Sequence, residues 1–463
     1  MVNEYNLREG EVVKVESRKP GDPETTAKGG LVLARCLAGR LSMWKDSARM
    51  APKRKDPTQG FPVEAVLAAA VYGLLSGGRG FSATEAMRRD GPLTRLAGLR
   101  KVPSAETVEE VVKHVAEVDG IGPLNKWLRR EVVKFLKRSK RTDLLGPSHG
   151  FVPVWGDGTL LEVEGKNFDS IKAMKGKRGQ LACGVFVGPY AAAVDFAGEG
   201  VGEETMVREG LGEVFEEVIK PLRLAKTALV LLDSLYGDEP SLEAVESLPG
   251  KPAYIVGVSR LSESERVMDE LPDSAWKDTG ANPGRGWEAS GVATAWLQCP
   301  GWERKRPMVC RRWRNEGEFF WRYAGVATSL DASDPRIERL MKNTGRGFEE
   351  TVWILYGMKQ GMENQWKELL SDLGLHHPPS AKARANAVFA AIVATAYNLS
   401  TAVRRLLLNG RDRFMRLWRF RRDWIDVSGY VVTNARYVIF RVTEACDDTR
   451  RRLTEAMGRL ERL

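Results

Sequence analysis

The feature that most constrains the fold is a run of five apolar residues, 228–232, that ends at Asp233. A segment that is apolar at every position predicts a central strand covered on both faces, as in parallel sheets. The sequence Ser-Leu-Tyr-Gly and a helix-like segment, 239–248, follow this strand. Asp233 is therefore expected at the carboxyl edge of a parallel sheet, where α/β proteins place their sites.

A second strand-like segment, 151–161, contains Asp157 in the sequence Trp-Gly-Asp-Gly-Thr. Further strands are predicted near 180–187, 190–196 and 253–258, with a helix over 203–220. Alternation of strands and helices predicts an α/β core. Aspartates at strand ends commonly cap turns, so neither aspartate alone indicates a catalyst.

A third carboxylate, Glu363, lies in a helix-patterned stretch, 356–369. Steps of three and four residues from Glu363 reach Tyr356, Lys359 and Lys367, which places these side chains on one side of a helix. A carboxylate at the edge of an apolar stripe is costly to leave unpaired, so either a lysine or a metal ion would neutralise it. A salt-bridged surface helix remains the alternative for this segment.

Other short motifs accompany this helix. They are Arg88-x-Asp90-x-x-Leu93, Val102-Pro103-Ser104-x-x-Thr107, Ala385-Asn386, Ala396-Tyr397-Asn398-Leu399 and a hairpin-like sequence at 429–440. Together with Tyr356-x2-Lys359-x3-Glu363-Asn364-x2-Lys367-Glu368-Leu369, they resemble the ribonuclease-H-like DDE transposases of bacterial insertion sequences. The resemblance is to the thirteen-eighty family within the IS-four superfamily. Lys359 stands where this family usually has Arg, and Leu370 stands where it has a final Lys.

The resemblance implies a DNA transposase that cuts the ends of its own element and joins the 3′-hydroxyl to target DNA. It implies Asp157, Asp233 and Glu363 as catalytic residues and as ligands of two Mg²⁺ ions, with Mn²⁺ as a substitute. The implied partners are double-stranded DNA, as terminal inverted repeats and as target, and a second copy of the chain in a synaptic homodimer. A nuclease of the same fold, and a catalytically silent DNA-binding protein, remain alternative functions.

The charge distribution agrees with a polyanionic partner. The net charge is +10, the isoelectric point is near 9.3, and the basic excess is densest across 404–422, where aromatic residues are interleaved. A solvated helix face is the alternative for any single basic cluster, and a salt bridge to Glu363 is the alternative for the two lysines. The candidate DNA-binding residues are Tyr356, Lys359, Lys367, Arg404, Arg405, Arg416, Arg419 and Arg422.

Between Asp233 and Glu363 the chain is too long for the remaining strand and helix of such a core, so the sequence predicts an insertion. Strands are expected near 293–297, 308–313 and 319–323 within a tryptophan-rich stretch, 285–328. In hairpin-forming relatives an aromatic ring in this region holds a flipped base, and core packing is the alternative role for each ring. The candidates are Trp287, Trp296, Trp302, Trp313 and Trp321.

The predicted fold is a multidomain α/β chain with a ribonuclease-H-like catalytic core, an inserted β-rich domain, a helical N-terminal module and a basic C-terminal segment. The module is expected to bind DNA, with a helical scaffold as the alternative. The boundaries are a loosely attached tail at 1–27, the helical module at 28–145, the core at 146–262 and 345–403, the insertion at 263–344 and the basic segment at 404–463.

Three observations bear on the compartment. The five cysteines are scattered without a close pair, which argues against a zinc module or a disulfide scaffold and for a reducing environment. The charged N-terminus does not resemble a signal peptide. The apolar stretch 385–403 contains Asn386, Asn398 and Ser400, so it predicts a buried helix rather than a membrane span. We therefore expect a cytoplasmic, nucleoid-associated bacterial protein without a membrane partner.

Overall fold

A computed structural model describes residues 12–17, 25–52, 60–139, 150–164, 166–174, 176–433, 437–443 and 447–463. The architecture is mixed α/β, as the sequence predicts. Its strands are β1 Val12–Ser17, β2 Thr25–Thr26, β3 Val152–Glu162, β4 Ile171–Met174, β5 Lys177–Val187, β6 Tyr190–Phe196, β7 Ala228–Leu232, β8 Ala253–Gly257, β9 Lys277–Asp278, β10 Trp287–Leu297, β11 Arg306–Asn315, β12 Arg322–Thr328, β13 Gly429–Thr433 and β14 Tyr437–Val442. Its helices are α1 Leu31–Arg40, α2 Met43–Met50, α3 Val63–Leu75, α4 Glu85–Arg88, α5 Gly91–Leu96, α6 Ala105–Glu117, α7 Ile121–Arg138, α8 Glu203–Val214, α9 Glu239–Glu246, α10 Ser262–Asp269, α11 Pro335–Thr344, α12 Phe348–Tyr356, α13 Gln360–Lys367, α14 Ala383–Ala402, α15 Leu417–Phe420 and α16 Asp447–Glu461.

Strands β3 to β12 form one mixed sheet in the order β4-β5-β3-β7-β8-β12-β11-β10-β9, and β6 also pairs with β5. Strands β3, β7 and β8 run parallel to one another, whereas β5 is antiparallel to β3 and to β6. The apolar run at 228–232 forms β7 and is buried at every position. The prediction of a central strand covered on both faces is therefore confirmed.

The strands between Asp233 and Glu363 do not form a separate sheet. Strand β12 pairs antiparallel with β8, so β9 to β12 extend the central sheet. This differs from the expected β-rich domain at 263–344. The last of its predicted strands also begins later, at Arg322, because Gly317 turns the chain with a φ of 78° and leaves Phe319 and Phe320 in an exposed connection.

Helix α14 is the central buried helix. Among the described residues, the segment Ala383–Leu407 is long and apolar enough to cross a membrane, but its most apolar stretch is buried inside the protein. It packs against β6, α3, α6 and α7. The Asn398 side chain accepts from the Ala191 amide at 2.8 Å and donates to the Ala191 carbonyl at 2.7 Å, which fixes the helix against β6. The prediction of a buried helix is confirmed.

The N-terminal helices pack directly on this core. Ser104 caps α6, because its hydroxyl accepts a hydrogen bond from the Thr107 amide at 3.2 Å. On α7, the buried Arg129 forms ion pairs of 2.7 and 2.9 Å with Glu213 of α8 and with Glu217, which follows α8. The basic residues Lys53, Arg54 and Lys55 lie outside the described residues.

A second, smaller sheet has the order β1-β14-β13-β2. Strands β13 and β14 form the antiparallel hairpin expected at 429–440. The prediction that 1–27 is a loosely attached tail is wrong for two described parts of it. Residues 12–17 pair in parallel with β14, and Thr25–Thr26 pair with β13, because both hairpin edges offer backbone donors and acceptors to an extended segment.

Candidate active site

The two predicted aspartates lie side by side at the carboxyl end of β7. The parallel register pairs Trp155 of β3 with Leu231 of β7, so Asp157 and Asp233, two residues further along each chain, are level with each other. Adjacent strands are about 4.8 Å apart, which brings the two carboxylates onto one edge of the sheet. Strand β3 continues through Asp157 to Glu162, so this aspartate lies within a strand and not at its end.

Lys359 reaches the same edge from the turn before α13. Its ammonium group lies 3.1 Å from Asp233 Oδ2, and both side chains are partly exposed. The expected alternative, a salt bridge from Lys359 to Glu363, is not the pair that the structure shows. Lys359 instead supplies the positive charge next to two neighbouring carboxylates.

The electrostatics of the two aspartates differ. Burial raises the pKa of Asp157 to about 6, with Glu203 and Asp233 adding to the rise and Lys359 opposing it. Burial also acts to raise the pKa of Asp233, but Lys359 and hydrogen bonds from Ser234 outweigh it and hold that pKa below its ordinary value. The Ser234 hydroxyl donates to Asp233 Oδ1 at 3.0 Å, and the Ser234 amide donates to the same oxygen. Asp233 is therefore held as a carboxylate, while Asp157 titrates near neutrality.

Glu203 is a buried carboxylate that the sequence analysis missed, and it lies on the other face of the sheet at this edge. It is the first residue of α8 and accepts hydrogen bonds from the Gly158 amide at 3.0 Å and from the Tyr236 hydroxyl at 2.6 Å. Acidic residues are common in the first turn of any helix, so no sequence signal separates Glu203 from its neighbour Glu204.

The two glycines that flank Asp157 allow α8 to approach the strand. A Cβ atom on Gly158 would lie 2.4 Å from Glu203 Cδ, and one on Gly156 would lie 2.3 Å from Val207 Cγ1. Side chains alternate between the faces of a strand, so Asp157 points to the opposite face. The Gly-Asp-Gly sequence thus packs α8 on one face and presents the carboxylate on the other.

Helix α13 lies across that opposite face. Trp366 packs edge-on against Phe186, with ring centroids 5.6 Å apart, and it borders Gly184, the residue paired with Asp157. Glu363 lies between Lys359 and Trp366 on the same helix side, at steps of four and three residues, and its side chain is exposed. Lys359 and Trp366, one turn before and one turn after Glu363, are thus the residues of this stretch that contact the sheet beside the aspartates.

The described residues contain no group of three or more His, Cys, Asp or Glu side chains that could together hold a metal ion. Asp157 and Asp233 nonetheless fit a hard divalent cation. Both side chains are carboxylates, the ligands that hard cations prefer. Burial makes the negative charge of Asp157 costly, and the ammonium group of Lys359 already lies beside the pair as a positive charge.

The remaining motif residues lie around this edge in different ways. Tyr356 is half-buried, and its hydroxyl approaches Gly257 so closely that a Cβ atom there would be 2.8 Å away. Burial, Asp233 and Asp157 raise the pKa of Tyr356. Lys367 is exposed on α13. Tyr356 therefore borders the carboxylates, whereas Lys367 faces solvent.

Arg404 is not available as a DNA-binding residue, and that prediction is corrected. Its side chain is 6% exposed and pairs with Glu368 at 2.8 Å. It also donates to Thr401 Oγ1 at 2.9 Å and to the carbonyl oxygen of Met415. A guanidinium whose donors are used inside the protein has none left for a phosphate.

The other predicted arginines lie nearer the surface. Arg419 and Arg422 are exposed and share Asp423 as an ion-pair partner. Arg416 is 3.8 Å from Asp372, and Arg405 is half-buried with its guanidinium 4.3 Å from the ring centre of Phe414. Of these four side chains, Arg405 and Arg416 line a groove together with residues of α13.

The five tryptophans proposed for base flipping have different surroundings. Trp287 stacks on Trp313 with ring centroids 5.4 Å apart, and Trp302 and Trp321 lie under arginines. Trp296 is the most exposed of them at 56%, with Lys305 5.0 Å from its ring centre. No contact distinguishes one of them as a base-binding ring, so this role stays a prediction.

The family comparison bears on the later part of the chain. Residues 204–463, more than half of the chain, match the family described as Transposase DDE domain group 1, and the chain belongs to this family. The match includes Asp233 and Glu363 and begins after Asp157. No curated protein sequence matches the chain at a significant level.

Among solved structures, the chain is similar to one described as a cryo-EM structure of the piggyBac transposase synaptic complex with hairpin DNA. The identity is 13%, the TM-score is 0.37, and the alignment covers 81% of this chain and 74% of the other. A likeness at this level assigns no residue role.

Proposed function

We propose that this member of the Transposase DDE domain group 1 family is a metal-dependent DNA transposase that uses Asp157, Asp233 and Glu363. The observation that carries the proposal is the pairing of Trp155 with Leu231, from which Asp157 and Asp233 each follow by two residues, with Lys359 3.1 Å from Asp233. Two neighbouring carboxylates repel each other unless a cation lies nearby. Such a pair can hold the metal ions that a phosphodiester-cleaving site uses.

The strand arrangement supports a ribonuclease-H-like core. Strands β6, β5, β3, β7 and β8 are adjacent in that order, with β3, β7 and β8 parallel and β5 antiparallel to β3. This is the strand order that the sequence resemblance implies. The core would thus comprise these strands with the helix α13 that carries Glu363.

The roles of the side chains follow from their surroundings. Asp157 and Asp233 would hold Mg²⁺, with Mn²⁺ as a substitute, and Glu363 would join them from α13 as the third ligand. When bound, two such ions lower the pKa of the attacking water and stabilise the leaving oxygen. Ser234 and Lys359 keep Asp233 ionised, and Glu203 holds the backbone amide of Gly158 beside Asp157.

The reaction would proceed in two stages at the same site. Water first attacks the phosphodiester at the element end and releases a 3′-hydroxyl. That hydroxyl then attacks a phosphodiester of the target DNA, so that one bond forms as another breaks. We propose double-stranded DNA, as terminal repeats and target, and a second copy of the chain in the synaptic complex as partners.

The test uses the purified full chain and duplex DNA that carries the inverted repeats flanking its gene, with magnesium or with a chelator. Asp233→Asn keeps the shape of the side chain but removes its charge, so cleavage should fall by several orders of magnitude while duplex binding persists. Asp195→Asn is the matched control, because Asp195 lies on β6 and forms its hydrogen bond with the backbone amide of Phe196.

The outcomes separate the candidate functions. Joining of the cut ends to a supercoiled target plasmid supports transposition, and cleavage without joining would leave a nuclease of the same fold. Binding without cleavage by the wild-type chain would point to a silent DNA-binding protein. Substantial magnesium-dependent cleavage by Asp233→Asn would refute the assignment of this residue.

A further inference from the structure

A groove beside the candidate active site has no role in the chemistry described so far. Its volume is about 470 Å³, within the range of small-ligand sites. Three groups of residues that line it matter for its chemistry: Trp155 on β3, Asn364 and Gln365 on α13, and Arg405, Phe414 and Arg416 after α14. It therefore lies between the helix that carries Glu363 and the basic C-terminal segment.

Arg405 gives the groove an anion-binding character. Its guanidinium is half-buried, and none of the ion pairs among the described residues involves it. Its sequence neighbour Arg404 is already neutralised by Glu368 at 2.8 Å, and Glu368 also lines the groove. Burying a cation is costly unless it is paired, so an anion in the groove would be bound favourably.

A second cation adds to this character. The Nε atom of Arg416 is buried without a hydrogen-bond partner, while its Nη2 lies 3.8 Å from Asp372. Arg416 is 42% exposed and lines the same groove, so its guanidinium can bind a phosphate oxygen there in addition to its existing partner.

Phe414 gives the same groove an aromatic surface. Its side chain is 63% exposed, although a phenylalanine is usually buried. Arg405 lies 4.3 Å from its ring centre and Arg413 5.8 Å, and the exposed part of the ring beyond these contacts is open to a planar group. Phosphate-binding arginines next to an open aromatic ring are the pattern of single-stranded nucleic-acid sites.

The position of the groove relates it to the cleavage chemistry. Trp155 precedes Asp157 by two residues on the same strand face, a distance of about 6.6 Å. Gln365 accepts from the Trp155 indole nitrogen at 3.4 Å and donates to the Gly188 carbonyl at 3.0 Å, which fixes α13 as the wall between groove and active site.

We propose that this groove binds one unpaired nucleotide of the DNA strand next to the cleaved phosphodiester. Its phosphate is bound by Arg405 and Arg416, and its base stacks on Phe414. A base inside a duplex has both faces covered by its neighbours, so only an unpaired base can use the ring. The inference rests on the proposed function, because it assumes a DNA strand at Asp157 and Asp233.

The experiment measures binding of two fluorescein-labelled probes to the full chain in chelator: a twelve-residue oligothymidylate and a blunt duplex of twelve base pairs. Phe414→Leu removes the stacking surface and should weaken the oligothymidylate complex by roughly 10-fold or more, while changing duplex binding by less than about 2-fold. Arg405→Gln should weaken the same complex and make its log–log salt dependence shallower by about 0.7. Phe414→Leu should leave that slope unchanged.

Matched controls separate this site from the rest of the surface. Trp418 is 48% exposed under Arg422, in the same segment but outside the groove, so Trp418→Leu should leave oligothymidylate binding unchanged. Arg266→Gln removes one exposed charge from α10 and should also leave it unchanged. Equal thermal melting temperatures of all variants would show that the fold is intact.

The results decide between the two proposals. Failure of the wild-type chain to bind oligothymidylate, or equal binding by wild type, Phe414→Leu and Arg405→Gln, would overturn the groove while leaving element-end cleavage standing. Equal losses with the duplex probe would show a duplex-backbone site and would also overturn it. If the wild-type chain neither binds nor cleaves DNA, the transposase proposal is refuted instead. Photocrosslinking of a 4-thiothymidine probe to the peptide containing Phe414 would support the groove directly.

Discussion

Replacing Asp157 by Asn should stabilise the metal-free protein, although the residue is assigned to catalysis. Burial raises the pKa of Asp157 from 3.8 to about 6. The folded state therefore holds a proton between about pH 4 and pH 6 that the unfolded chain has released. Stability falls as pH rises through that window, because the unfolded state then binds fewer protons than the folded state.

The magnitude follows from the size of the shift. A change of about two pKa units corresponds to about 3 kcal/mol at pH 7.5 and to about 0.6 kcal/mol at pH 4. For 463 residues the unfolding entropy is about 1 kcal/mol/K if the chain unfolds as one unit. Asp157→Asn should therefore raise the melting temperature in chelator by about 3 °C at pH 7.5 and by less than about 1 °C at pH 4.

Asp195→Asn is the control for this measurement, because burial also raises the pKa of Asp195 to about 6 and it lies outside the site. Both variants should be stabilised in chelator. Added magnesium should then stabilise the wild type and Asp195→Asn but not Asp157→Asn, since a ligand stabilises only the state that binds it. A melting temperature of Asp157→Asn that is lower than that of the wild type, or a difference that does not change between pH 4 and pH 7.5, would refute the reasoning.

Two further outcomes are expected. Lys359→Met removes the cation that lies 3.1 Å from Asp233, so it should lower the melting temperature in chelator more than in saturating magnesium, and equal losses in both conditions would contradict a role beside the carboxylates. The logarithm of the wild-type affinity for duplex DNA should fall with the logarithm of the salt concentration with a slope of roughly −5, as expected for about six phosphate contacts. The combined change of Arg416, Arg419 and Arg422 to Ala should make this slope shallower by up to about 2.7. An unchanged slope in a titration followed by fluorescence anisotropy would remove these arginines from the interface.

The positions of the two aspartates could be predicted because their signal is local. A fully apolar strand that ends at Asp233 can only be central, and the Gly-Asp-Gly sequence at 156–158 lies in the neighbouring strand. The level register of Asp157 and Asp233 then follows from parallel pairing of the two strands. The central buried helix was predictable for the same reason, since its pattern depends on residues close together in sequence.

Other features depend on partners that are distant in sequence. Strand β12 joins β8 through residues about 70 positions apart, and nothing in the local pattern of either strand shows this pairing. In the sequence, nothing distinguishes Arg404 from its basic neighbours, because its buried ion pair with Glu368 appears only in the structure. Glu203 resembles any acidic residue at a helix start until Gly158 and Tyr236 are seen to donate to it.

Lys359 connects the charge pattern of the motif with the chemistry of the site. The resembling family usually carries Arg at this position, and Arg binds carboxylate or phosphate with a planar pair of donors. Lys359 is a single, strongly hydrated charge, and in the metal-free protein it lies against Asp233. Divalent cations at the two aspartates would supply the same positive charge, so they would free the ammonium group from this pairing. Lys359 would then be available to a phosphate of the bound DNA only when the site is loaded, which couples substrate binding to metal binding through one side chain.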